Sequence, residues 1–183
     1  GVVIGRKGGA TLSASFTAYE GTFTGGVRVA AARYLGGVVA PFQIVTTPGP
    51  GRAVDLKAWS VAGGSATLVA QAAVASGGGA YTALGDANND SQLDLAIMPD
   101  AGTPTLLTLV SLAAGQTIGT LSPGSLGFRG GMRLSIGPLG GGPGVNEIVA
   151  VDGAGGVPRV QVFQLFPSGA ALQRLGFLAL EVP

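Results

Sequence analysis

Gly25-Gly26-Val27-Arg28-Val29-Ala30 returns as Gly78-Gly79-Ala80-Tyr81-Thr82-Ala83 and again as Gly130-Gly131-Met132-Arg133-Leu134-Ser135. Gly26, Gly79 and Gly131 are 53 and 52 residues apart. Each copy is a glycine pair followed by a short apolar run, the signature of a turn feeding a β-strand. A repeat of this length is a supersecondary unit that cannot bury its apolar face alone and has to stack on its neighbours.

The landmarks downstream keep step. Gln43-Ile44-Val45-Thr46, Asp94-Leu95-Ala96-Ile97 and Glu147-Ile148-Val149-Ala150 stand at matching distances from the glycine pairs. Turn-rich patches follow at 48–51, 99–102 and 153–156, then alternating runs at 54–59, 105–110 and 160–165. A fourth run closes each unit, at 66–74, at 116–121 with its tail to 128, and at 172–180. Four short strands per unit predict an all-β chain of four-stranded antiparallel meanders. Radial stacking of such sheets protects their edges and gives β-propeller-type blades, of which a closed ring typically has four to eight.

Residues 2–4 and 10–19 match the third and fourth strands of a blade, so the reading is about three and a half blades. The expected division is 1–24 as a partial blade of two strands, 25–77 as blade 1, 78–129 as blade 2 and 130–183 as blade 3. Three and a half blades fall short of a ring, so either further chain or another copy is expected to supply the rest, and the chain is expected to assemble with itself or with a neighbouring protein.

Composition supports strands and turns. The 183 residues include 34 glycines and 11 prolines, and charged residues make up 10% against roughly 25% in an ordinary domain. Glycine and proline in a helix interior cost about 1 and 3 kcal/mol, and they are spread too evenly here for long helices. The mean hydropathy of +0.50 comes from short apolar runs, not from the roughly 20 consecutive apolar residues of a membrane span. With 46% hydrophobic residues in patterned runs, the chain is expected to fold and not to be disordered. A net charge of +1, with basic residues scattered, offers no footprint for nucleic acid.

Several chemistries are excluded. The chain has no cysteine and no histidine, which removes disulfides, thiolate metal sites, and Ser-His-Asp or Cys-His catalysis. Lys7 and Lys57 are the only lysines. Gly140-Gly141-Gly142-Pro143-Gly144 lacks the Gly-Lys-Ser/Thr of a phosphate-binding loop and reads as a plain loop. No catalytic residues are assigned, and the chain is read as a non-enzyme. It starts at Gly1 without Met, which fits a processed protein or a fragment, and no signal peptide is visible.

One stretch carries chemistry: Gly85-Asp86-Ala87-Asn88-Asn89-Asp90-Ser91-Gln92-Leu93-Asp94-Leu95-Ala96-Ile97. Asp86, Asn88, Asp90 and Asp94 occupy loop positions one, three, five and nine, and Gln92 offers a backbone carbonyl at seven. This spacing lets a tight turn gather hard oxygens, as Ca²⁺ requires with its six to eight oxygen ligands. Ile97 at position twelve and the flanking β-type runs exclude an EF-hand. The competing reading is a polar turn whose Asp and Asn side chains bond to nearby backbone.

The stretch resembles the calcium-binding hairpin of FG-GAP (VCBS-type) repeats, known from integrin α-subunit propellers and large bacterial surface proteins. Residues 16–30, with Phe23-Thr24-Gly25-Gly26, are similar to the blade-joining segment of bacterial members. The resemblance implies a calcium-binding propeller, extracellular or at the cell surface, serving adhesion or binding. Ser91 stands at position six, where the family pattern has glycine in a left-handed turn, at a modest conformational cost. The matching stretches at 32–38 and 137–143 lack carboxylates, so only the middle unit is expected to take Ca²⁺.

Arg28 and Arg133 hold equivalent repeat positions, which predicts a shared structural contact. Trp59 is expected between blades, and Asp100 and Asp152 as Asx turns after the second strand. The functional expectation is a calcium-binding scaffold that assembles with itself or another protein. The alternative is a recognition module that binds protein or carbohydrate through its loops.

Overall fold

The structure is a computed structural model that describes residues 2–5, 12–32, 44–74, 78–123, 127–139, 146–157, 159–165 and 172–175. It is all-β, with no helix among the described residues, and hence none long and apolar enough to cross a membrane. β1 (Val2–Gly5) and β2 (Leu12–Phe16) form a two-stranded antiparallel sheet. β3 (Val27–Ala31), β4 (Ile44–Pro48), β5 (Val54–Ala62) and β6 (Ser65–Val74) form the first of three four-stranded sheets. β7 (Ala80–Gly85), β8 (Asp94–Pro99), β9 (Leu107–Ser111) and β10 (Gln116–Leu121) form the second. β11 (Met132–Gly137), β12 (Glu147–Asp152), β13 (Val160–Leu165) and β14 (Leu172–Leu175) form the third. Each sheet follows chain order and every pair is antiparallel, so each is a meander closed by local hairpins. The tightest is Gly63-Gly64 between β5 and β6, whose φ values of 58° and 85° suit the turn type that matches strand twist.

The core lies between the sheets. Val45, Val54, Leu56 and Ala58 of the first sheet pack with Ala80, Leu84, Leu95 and Ile97 of the second. The other face of the second sheet, with Ala96, Met98, Leu107 and Leu109, packs on Met132, Ile148, Ala150 and Phe163 of the third. Side chains alternate across a strand, so β8 sends Leu95 and Ile97 one way and Ala96 and Met98 the other. That is why its sequence reads as a continuous apolar run and why Asp94 to Met98 are all buried. β12 differs: Ile148 and Ala150 are fully buried, while Val149 and Val151 on its other face are only partly covered. Truncating Leu109, which has no exposed surface, to Ala would cost about 2–5 kcal/mol.

The glycine pairs mark where consecutive sheets meet. Gly79 (φ 87°) lies against the turn after β4, where an added Cβ would come within 2.7 Å of the Gly49 carbonyl carbon. Gly131 (φ 70°) makes the same approach to the Asp100–Ala101 backbone after β8. A turn residue needs only the φ; here close backbone contact excludes a side chain as well. Trp59 is buried between the first sheet and β2, with its ring 4.7 Å from Phe16 and its Nε1 donating to Thr46 Oγ1 at 2.9 Å.

Arg28, Tyr81 and Arg133 share one register position in β3, β7 and β11, and both guanidinium groups stack on the Tyr81 ring, at 4.4 and 3.9 Å. This is the contact that joins the two arginines. Asp100 accepts from Ala101 N at 2.9 Å and from Arg28 Nη2 at 2.8 Å; its donor is the next residue and not the one after, whose N–H goes to the Arg129 carbonyl, so the expected Asx turn gives way to an ion pair between sheets. Asp152 corrects the sequence reading. It pairs with Met132 as the last residue of β12, one register earlier than Asp100, and matches Pro48 and Pro99.

Candidate metal site in the 86–94 hairpin

The hairpin between β7 and β8 leaves the sheet after the Gly85–Asp94 pair. Asp86 accepts from Asp90 N at 3.0 Å through Oδ1 and from Ser91 N at 2.8 Å through Oδ2. Asn88 Oδ1 also accepts from Asp90 N at 3.1 Å, and Asp90 Oδ1 accepts from Gln92 N at 2.8 Å. Asn88 Nδ2 donates to Asp90 Oδ2 at 2.9 Å. The chain can double back so tightly because Asn89 and Ser91 adopt φ of 61° and 67°. Asn tolerates this region; Ser at position six pays for it.

Asp94 is the buried floor of the hairpin, with no exposed surface. Its Oδ2 accepts from Ala87 N at 2.9 Å and from Asn88 N at 3.3 Å. Its Oδ1 is buried and has no hydrogen-bond partner. Burial pushes the Asp94 pKa up to about 6, and the negative charges of Asp90 and Asp86 push the same way against the two backbone hydrogen bonds. A carboxylate with one bare oxygen, beside two further carboxylates, is an arrangement that a cation relieves.

The sequence-predicted residues Asp86, Asn88, Asp90, Gln92 and Asp94 therefore sit in one turn. Asp86, Asn88, Asp90 and Asp94 bond to its backbone, while Gln92 is exposed and contributes its N–H. Among the described residues no three acidic side chains converge as a ready-made metal cage. The carboxylates face backbone N–H groups instead. The matching stretches at 33–38 and 140–143 lie outside the described residues.

Sequence reasoning misses Asn146. Immediately before β12, it reaches across to the hairpin, with its N donating to Asn89 Oδ1 at 2.7 Å and its Nδ2 to the Asp86 carbonyl at 2.9 Å. The third sheet thus braces the loop of the second. No spacing signals this contact, because it spans 57 and 60 residues and depends on how two units stack. Comparison with protein-family models, with curated proteins and with solved structures finds no match to this chain.

Proposed function

We propose that the chain is a non-enzymatic scaffold module of propeller type, similar to FG-GAP repeats, whose 86–94 hairpin binds one Ca²⁺ at the outside of the cell. The observation that carries this reading is the bare, buried Oδ1 of Asp94 next to two more carboxylates. Asp86, Asn88, Asp90 and Asp94 would hold the ion with their side-chain oxygens, and Gln92 with its backbone carbonyl. Calcium tolerates irregular oxygen sets, and extracellular modules work at weak affinity, so a loop strained at Ser91 suffices. The ion supplies positive charge where, among the described residues, no ion pair reaches Asp86, Asp90 or Asp94. Asp94 stays ionised, Asp86 and Asp90 cease to repel it, and the hairpin is tied to the start of β8. Asn146 keeps the loop against the third sheet, so ion binding also firms the contact between units.

Assembly is the second part of the proposal. β4 and β8 are covered on both faces, whereas β12 presents Val149 and Val151 on a face that no described sheet covers. β6 leaves Leu68 and Val69 each 41% exposed. Apolar surface of this kind, in a chain with so few charges, suits contact with another copy or another repeat protein. Thermal melting with calcium and with excess chelator, beside sedimentation at rising concentration, tests both parts. A higher melting temperature in calcium and a concentration-dependent mass support the proposal. An unchanged melting temperature refutes the ion, and a monomer at every concentration refutes self-assembly.

A further inference from the structure

β3, β7 and β11 lie side by side, so the outer edges of the three large sheets are β6, β10 and β14. β14 is four residues long and carries Arg174. β10 is six residues long and gives Ile118 and Leu121 to the core. β6 runs for ten residues, exposed throughout 67–73, and no second strand flanks it among the described residues. Natural edges are commonly kept apart by lysine, by inward charges or by proline, and the stretch from Ser65 to Val74 has none of these. Its four alanines leave the backbone uncovered.

A bulge in the middle of β6 decides what this edge fits. Ala70 pairs with Ala58 and Leu68 with Trp59, neighbours on β5 that point to opposite faces, with Val69 extra between them. The alternation of side chains along β6 is therefore reversed half-way. Turned end for end beside a second copy, the strand meets itself as Ser65 with Val74, Ala66 with Ala73, Thr67 with Ala72 and Leu68 with Gln71. In all four pairs the two residues stand on the same face of the sheet. A regular ten-residue strand reversed in this way would set every residue against one from the opposite face. No pair brings like charges together, and an antiparallel ladder of this length offers about ten main-chain hydrogen bonds, as many as a typical interface carries. Leu68 and Val69, each 41% exposed, fall at its centre.

We propose that the outer edge of β6 pairs antiparallel with β6 of a second copy of this chain, about a twofold axis beside Val69 and Ala70. The inference rests on the self-assembly proposed above and names its surface and its partner. Sedimentation of the full chain should show a mass that rises with concentration from one chain to two. Val69→Lys and Val69→Glu, which set like charges together at the axis, should each weaken the dimer by about tenfold or more, and an equimolar mixture of the two should restore it. The chain has no cysteine of its own, so the register can be read directly. Thr67→Cys with Ala72→Cys should cross-link two copies under mild oxidation about tenfold faster than Thr67→Cys with Gln71→Cys, whose thiols stand on opposite faces. The cysteine pairs decide if the Val69 variants do not fold. A monomer at every concentration overturns this inference and self-assembly together. A dimer indifferent to Val69→Lys, a mixture that stays monomeric, or cysteine pairs that cross-link at equal rates overturns the β6 edge alone and leaves assembly through the Val149 face.

Discussion

Asp94 begins β8 and Asp100 stands just past its end, and both are buried, at 0% and 6% exposure. Asp100 has a counter-charge from within the molecule: Arg28 of the preceding sheet reaches it at 2.8 Å, and Ala101 N takes its other oxygen. Asp94 has two backbone donors on one oxygen, none on the other, and two further carboxylates for neighbours. The strand is balanced at one end by protein and left negative at the other. The difference locates the chemistry. A completed charge pair ties consecutive sheets together, whereas an unbalanced carboxylate asks for something from solution.

The comparison breaks first at the paired end. Arg28→Ala should destabilise the chain by about 3 kcal/mol, because it strands the Asp100 carboxylate in a nearly dry site. Arg28→Met combined with Asp100→Leu should recover most of that loss, measured by denaturant unfolding. A cost equal to that of a surface substitution would mean that the pair is ornamental.

At the other end the sign reverses. In chelator the folded state holds the Asp94 proton up to about pH 6, above the ordinary carboxylate range of the unfolded chain. Between about pH 4 and pH 6 the folded state therefore binds more protons than the unfolded one, so stability falls as pH rises through that window and is lowest above it. Asp94→Asn should melt above wild type at neutral pH in chelator, and the gap should close on acidification to about pH 4. Calcium, competing with that proton, should bind more weakly below about pH 6. A wild-type melting temperature in chelator that rises with pH across this window would contradict the unbalanced charge.

The smallest effect concerns the turn itself. Ser91→Gly, at φ 67°, should stabilise the hairpin by about 1 kcal/mol and tighten calcium binding correspondingly. A loss of stability on this substitution would show that the Ser91 side chain outweighs its backbone strain.

Much of the fold was legible because glycine pairs and period-two runs are local signals. The strand quartets that these signals predict pair as antiparallel sheets, and the unbroken apolar run Leu95-Ala96-Ile97-Met98 is a strand buried on both faces. The loop was legible too, since Asp86, Asn88, Asp90 and Asp94 lie within nine residues. What the sequence hides is contact across units. Asn146 under the hairpin, the Arg28–Asp100 pair and the two arginines on Tyr81 join residues from 52 to 72 positions apart, according to how far one sheet is turned from the next. Asp152 was misplaced by one residue, because Gly153 continues the same turn-rich composition and only the pairing with Met132 fixes the register.

Calorimetric titration of calcium into the intact chain, beside Asp90→Ala, tests the central claim most directly. One site per chain, markedly weakened in the variant, is the predicted result. An absence of binding heat together with an unmoved melting temperature, or equal uptake by the variant, would contradict it.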